Sequence, residues 1–421
     1  MLREWIGAIS CRPAWARRAR RSSAAALAAL LGHAVRTVPA YRGLRQGTGS
    51  RIELDCFPLV AKEEVAAQGE SFVCSELSRS SLVDFRTSGS TGVPLIVARD
   101  EVAAFGFVYA SYSIAADRIP SFRSALAPGR TGVVVVTDNS DRGTASWINP
   151  ALGDAFCHHL VLGSSDAADR ELIEILRASI VPLLCARPRC LLRLAEIDEE
   201  LGGSHFQPRA ILASGDNLYE DDRRRMAAWF GCPLRNAYIS QEGGFAAIDC
   251  ACEAGLHVLP GRAVVEVLGP AGSLQAEGAG ELILTNLENW AMPLIRYRIG
   301  DRAVVRRGAC ECGFEGPSLL DLSGRDAPYF HIGGRRFNPY RLNAVFELLP
   351  VKQFQVVQHG SAPPRVRWIP RCPDADIPAV ARLIAEGFQA KAGTAPGRVE
   401  AVTSLGEPGQ KMQRYVRLEP L

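Results

Sequence analysis

Between two strand-like runs, Ser81–Phe85 and Leu95–Arg99, the chain reads Arg86-Thr87-Ser88-Gly89-Ser90-Thr91-Gly92-Val93-Pro94. Gly89 and Gly92 let backbone N–H groups turn toward an anion. The hydroxyls of Thr87, Ser88, Ser90 and Thr91 add neutral donors, and Pro94 stiffens the exit. No Gly-Lys-Ser/Thr closes the loop, so it is not a Walker loop. A second constellation is soft. Cys250-Ala251-Cys252 and His257 precede Cys310-Glu311-Cys312-Gly313. Two Cys-x-Cys pairs brought together with an imidazole offer five candidates for the four ligands of Zn²⁺ in a closed, structural site. The expected set is Cys252, His257, Cys310 and Cys312, with Cys250 as a substitute; buried free cysteines are the competing reading. Lys is scarce, standing only at Lys62, Lys352, Lys391 and Lys411, which makes a Lys near the end of the chain conspicuous.

The string Thr-Ser-Gly-Ser-Thr-Gly-x-Pro resembles the phosphate loop of the adenylate-forming superfamily of acyl-CoA synthetases, adenylation domains and luciferases. Val38-Pro39-Ala40-Tyr41-Arg42, Phe57–Glu64, Gly280–Leu287 and above all Pro293-Leu294-Ile295-Arg296-Tyr297-Arg298-Ile299-Gly300-Asp301 narrow the resemblance to the phenylacetate–CoA ligase branch, with its capsule-biosynthesis-type relatives. The resemblance runs over nearly the whole chain and assigns expected roles. Tyr238, in Tyr238-Ile239-Ser240-Gln241-Glu242, would lie against adenine and Glu242 would hold Mg²⁺, a cation that takes hard oxygen ligands. Ile239 and Gln241 replace the usual Gly and Thr, which removes a hydroxyl expected at the phosphates. Asp301 would accept from the ribose hydroxyls, and Arg325 would help hold ribose and phosphate beside a hinge. Ser214-Gly215-Asp216 resembles the adenine-contacting turn, with Asp shortened from Glu. Lys411, in Lys-x-x-Arg, would bridge the carboxylate and the α-phosphate, where a fixed cation lowers an electrostatic barrier.

These residues need elements to carry them. The 421 residues are 47% hydrophobic and 22% charged, with a net charge of +3, which suits a soluble protein of two or three domains. Basic and acidic residues interleave, so no phosphate-tracking stripe argues for nucleic acid. The apolar stretch Ala24–Leu31 is far short of the roughly 20 residues a membrane span needs, and the scattered cysteines suit a reducing cytoplasm. Residues 1–36 are expected to be helical. The β-branched run Gly132–Thr137 and Ala210–Ala213 read as buried strands, with helices at Leu172–Ala178 and Leu191–Leu201 between them. That alternation predicts an α/β fold: a large N-terminal domain of layered sheets with a small β-rich sub-domain from Val264. Residues 1–325 would hold the ATP and acyl sites. Residues 326–421 would form a compact, mobile α+β lid domain, with a helix near Pro339–Leu349, strands at Gln353–His359 and Arg365–Pro370, and a helix at Ala379–Ala392.

The resemblance implies ATP-dependent conversion of a small carboxylic acid, by analogy an aryl acid, to an acyl-adenylate. Rotation about Arg325–Asp326 would then admit the thiol of CoA or of an acyl carrier protein's phosphopantetheine. Trp147, His158, His159 and Phe245 are candidate acyl-pocket lining. Two alternatives stand beside this reading: an adenylating enzyme that forms amides, and a zinc-stapled nucleotide-binding scaffold without catalysis. The oligomeric state is left open.

Overall fold

The computed structural model describes residues 22–44, 52–87, 95–137, 143–162, 166–203, 206–252, 255–323, 330–337, 339–346, 349–405 and 414–418. The chain divides into two compact units, Met1–Leu322 and Ser323–Leu421.

In the first unit, β1 (Val83–Arg86) and β2 (Ile96–Arg99) form an antiparallel hairpin around the expected phosphate loop. The other strands are β3 (Thr131–Thr137), β4 (Ala145–Asn149), β5 (Ala155–Val161), β6 (Leu183–Ala186), β7 (Ile211–Ser214), β8 (Leu234–Ser240), β9 (Gly244–Asp249), β10 (Leu256–Val258), β11 (Ala263–Leu268), β12 (Leu274–Gln275), β13 (Gly278–Asn286), β14 (Tyr297–Arg306) and β15 (Ser318–Ser323). Among the described residues these thirteen form one sheet, in the order β12-β11-β13-β14-β15-β10-β9-β8-β7-β6-β3-β5-β4.

The centre of that sheet, β5-β3-β6-β7-β8, is parallel. The inner strands β3, β6 and β7 are nearly continuous apolar runs because both faces are covered. The crossovers are helices such as Asp166–Ala178, Pro188–Glu200 and Glu220–Phe230, whose apolar sides join Val134, Val136, Leu184, Ile211 and Ala213 in one core. Pro188 opens its helix at a position where the missing N–H costs nothing. From β8 onward the sheet turns antiparallel. The β-rich stretch from Val264 is therefore continuous with the main sheet. Its inner face packs on the helix Ser23–Thr37 through Leu30, Leu31 and Ala34. That helix is the described part of the expected N-terminal helix.

In the second unit, β16 (Phe330–Ile332) pairs with β17 (Arg335–Phe337). A separate four-stranded sheet runs in the order β20-β19-β18-β21, from β18 (Val351–His359), β19 (Arg365–Pro370), β20 (Arg398–Ala401) and β21 (Tyr415–Leu418). The helix Ile377–Ala392 covers it, burying Val380, Ile384 and Phe388 against Val356, Val366 and Trp368. Among the described residues no helix is long and apolar enough to cross a membrane.

Candidate nucleotide site and cysteine cluster

Parallel strands bring the chain out at the same sheet edge, and ligands of such sheets collect there. Ser214 ends β7 and Gly215 and Asp216 follow it directly, and Ser240–Gly244 joins the neighbouring β8 to β9 at the same edge. Gly215 is in the left-handed region, with Arg187 packed against it, while Asp216 stands 3.6 Å from Arg189. The sheet curls strongly between β8 and β14. Although three strands separate β8 from β14 in the sheet order, the Tyr238 hydroxyl donates to Asp301 Oδ2 at 2.6 Å. A carboxylate acceptor makes this a strong hydrogen bond.

Glu242 is almost wholly buried. Its turn is tied on several sides: Gly243 N donates to Ser240 Oγ at 2.8 Å, Asn286 Nδ2 donates to the Glu242 carbonyl at 3.0 Å, and Tyr297 OH lies 3.5 Å from Glu242 Oε1. Gly244, at φ 69, occupies the left-handed position the turn requires. Behind the turn lies Arg99, 1% exposed at the end of β2, its guanidinium between the rings of Phe85 and Phe107 at 4.4 and 4.1 Å. Burial pushes its pKa down to about 10, against the opposing pull of Glu288 and Glu242. Arg262 pairs with Glu288, whose N–H donates to Asn286 Oδ1. Arg99, Arg262, Asn286 and Glu288 thus form the support of Glu242, and the sequence reading singled out none of them. A buried Arg is uncommon enough to signal a role, but nothing local marks Arg99 as buried.

The signature Pro293–Asp301 enters β14 through Arg296, a non-glycine residue at φ 51. A bidentate pair to Glu266, at 3.0 and 2.8 Å, holds this conformation, while Arg296 N donates to Thr285 Oγ1 at 3.0 Å. Thr87 closes the base of the expected phosphate loop: its N–H donates to the Leu95 carbonyl, and its Oγ1 accepts from Leu95 N at 2.8 Å. Ser88, Gly89, Ser90, Thr91, Gly92, Arg325 and Lys411 lie outside the described residues.

Phe245 and Ile239 meet an apolar cluster with Leu212, Ala237, Tyr112 and Trp147 beside the Glu242 turn. His159 is buried between Thr137 Oγ1 and the Gly143 carbonyl, both at 2.8 Å, and His158 bonds Thr131 and Ser146. The two imidazoles on β5 are therefore occupied by neighbouring polar groups. Cys157 and Cys185 are core thiols that burial pushes up to about 12, which removes them as nucleophiles.

The soft ligands do come together, with one change of member. Donor atoms of Cys250, His257, Cys310 and Cys312 all lie within 4.8 Å of one another. Cys252, expected in the set, is exposed and stands outside it; its N–H instead donates to Cys250 Sγ at 3.2 Å. The reason is local geometry. Cys250 directly follows β9 and is fixed by its N–H to the Gly255 carbonyl, which turns its sulfur inward. Gly255 lies against β15, where a Cβ would meet Leu319 O at 2.6 Å. Cys250 and Cys310 sulfurs are 3.5 Å apart, close to the roughly 3.7 Å that 2.3 Å bonds to a tetrahedral zinc would set. His257 Nδ1 is bonded to Ser318 Oγ at 2.9 Å, which leaves Nε2, 3.2 Å from Cys312 Sγ, as the ligating atom. Burial, with Arg118 and Arg306 nearby, lowers the His257 pKa and favours the neutral imidazole that binds metals. The donor set suits zinc.

No family model matches the chain. A phenylacetate-coenzyme A ligase of Thermus thermophilus is 33% identical over 107 residues, 24% of this chain and 24% of that protein, so the match spans about a quarter of the relative's length. A crystal structure of 2-hydroxyisobutyryl-CoA ligase, in the postadenylation state with R3-HIB-AMP, superposes with a TM-score of 0.73 at 18% identity, covering 95% of this chain and 91% of the other. A benzoate CoA ligase from Burkholderia xenovorans gives 0.54 at 13% identity, over 81% and 69%. The chain therefore has the fold of these CoA ligases, and about a quarter of its sequence is similar to part of a phenylacetate-coenzyme A ligase.

Proposed function

We propose that the chain activates a small carboxylic acid with ATP as an acyl-adenylate and then passes the acyl group to a thiol, of CoA or of a carrier protein. The observation that carries this reading is the meeting of the Tyr238–Asp301 pair with the Glu242 turn in this fold. Asp301 then holds the ribose by its carboxylate oxygens. Ser214, Gly215, Asp216 and Tyr238 frame the adenine. Glu242 is the ligand for Mg²⁺, which neutralises phosphate charge when bound. Thr87 anchors the loop Ser88–Gly92 that cradles the phosphates, and Arg325 assists at the ribose and phosphate. Lys411 places a point cation where the attacking carboxylate and the α-phosphate gather negative charge. The apolar cluster around Phe245, Ile239 and Trp147 keeps water from the acyl end, and an aryl acid is the substrate class its rings favour.

Cys250, His257, Cys310 and Cys312 hold a structural zinc in this reading, tying the end of β9 to the turn after β14. Acid-dependent exchange of pyrophosphate into ATP tests the adenylation step. Exchange with at least one acid is expected, and silence across a broad acid panel overturns the proposal. Thioester formation on adding CoA or a carrier protein tests the second step.

A further inference from the structure

A guanidinium placed out of water is costly unless its hydrogens and charge are met. Arg99 is met by two aromatic faces and by Gln241, whose side-chain Oε1 accepts from NH1 at 3.3 Å and whose carbonyl accepts from NH2. Residues 142 apart in the chain are thereby joined. The pairing has a chemical consequence. Arginine carries donors only, so the amide branch facing it must be the oxygen. The amide is planar, so its NH₂ branch diverges from Arg99.

Gln241 is half-buried, whereas Arg99 behind it is buried and Glu242 follows at once. It therefore stands at the boundary between the buried support and the sheet edge where Ser214–Asp216 and Ser240–Gly244 emerge. Arg99 also holds the Gln241 carbonyl, so backbone and side chain of this residue are set by one group. A neutral N–H donor held in one orientation suits phosphate oxygens; a carboxylate there would repel them.

We infer that the Gln241 NH₂ donates to the triphosphate of the bound nucleotide, and that Arg99 is the positioning residue that aims it. This rests on the ATP-dependent reading above. Arg99 itself stays behind the turn and acts through the amide.

The test is direct nucleotide binding by the full chain, which needs no knowledge of the acid. Calorimetry with MgATP, and competition with adenosine, would be run on the unaltered chain and on Gln241→Leu, Gln241→Glu and Gln241→Thr. Gln241→Leu and Gln241→Glu are expected to weaken MgATP about tenfold or more, the scale of one hydrogen bond to a charged acceptor. Gln241→Glu keeps a partner for Arg99, so weakening in this variant comes from the lost donor and the added negative charge and not from broken packing behind the turn. Gln241→Thr, a hydroxyl donor, is expected to stay within about threefold, and adenosine, lacking phosphates, should bind all four proteins alike. Unchanged MgATP affinity in Gln241→Leu and Gln241→Glu overturns the inference, as does parallel weakening of MgATP and adenosine. An unaltered chain that binds no MgATP overturns the ATP-dependent reading itself, and the inference with it.

Discussion

Replacing Tyr238 with Phe removes one oxygen and leaves the ring, which makes it a clean probe of the Tyr238–Asp301 contact. The hydroxyl donates to Oδ2 at 2.6 Å between two half-buried side chains. Hydrogen bonds to charged groups contribute about 1.5–3 kcal/mol when buried, and partial exposure puts this one near the low end. Part of that energy keeps the carboxylate in one orientation. Without it, the carboxylate loses one of the contacts that orient it, and a ribose must restore that order on binding, at up to about 0.5–1.5 kcal/mol for an immobilised side chain. The expected result is a rise in KM for ATP of about three- to tenfold, taking 1.4 kcal/mol as a factor of ten. KM for the acid and kcat should change little. The assay is steady-state pyrophosphate release with ATP varied at saturating acid, then acid varied at saturating ATP. An unchanged KM for ATP, or a fall in kcat with KM intact, would show that the hydroxyl does not serve nucleotide binding through Asp301.

The metal reading predicts one zinc per purified chain by elemental analysis, with Cys250→Ser losing zinc and melting earlier while Cys252→Ser keeps both, because only Cys250 belongs to the close set. Equal loss in the two variants would redraw that set. Glu266→Ala strands the Arg296 guanidinium, whose side chain is 11% exposed, so urea unfolding should show a loss of about 3 kcal/mol, the lower range for breaking a buried pair. Lys411→Ala should abolish acid-dependent exchange while MgATP still binds; undiminished exchange would remove Lys411 from the chemistry.

Local patterns revealed much of this protein. Gly132–Thr137 is a strand because β-branched residues without polar interruption suit a sheet covered on both faces, and β3 spans that run. Helix extents were less legible. The run Leu172–Ala178 is the C-terminal part of a helix that begins at Asp166, because the polar first turns carry no apolar periodicity of their own. The two Cys-x-Cys pairs and His257 announced a soft cluster by composition alone. Which sulfur of the first pair turns inward depended on the Gly255 turn and its fit against β15, and adjacent cysteines offer no sequence signal for that.

The sequence by itself determined the alternating α/β order, the Ser/Thr/Gly-rich loop able to turn donors toward an anion and the Cys-x-Cys pairs able to bind zinc, since each follows from neighbours within a few positions; the candidate ribose and Mg²⁺ residues came only with the resemblance. Tertiary structure alone decided that Tyr238 and Asp301 meet, and that Arg99 lies buried behind Gln241 with Glu288 and Arg262 near it. Those contacts join segments far apart in the chain through the curl of one sheet, and burial of a charge is a property of everything packed around it.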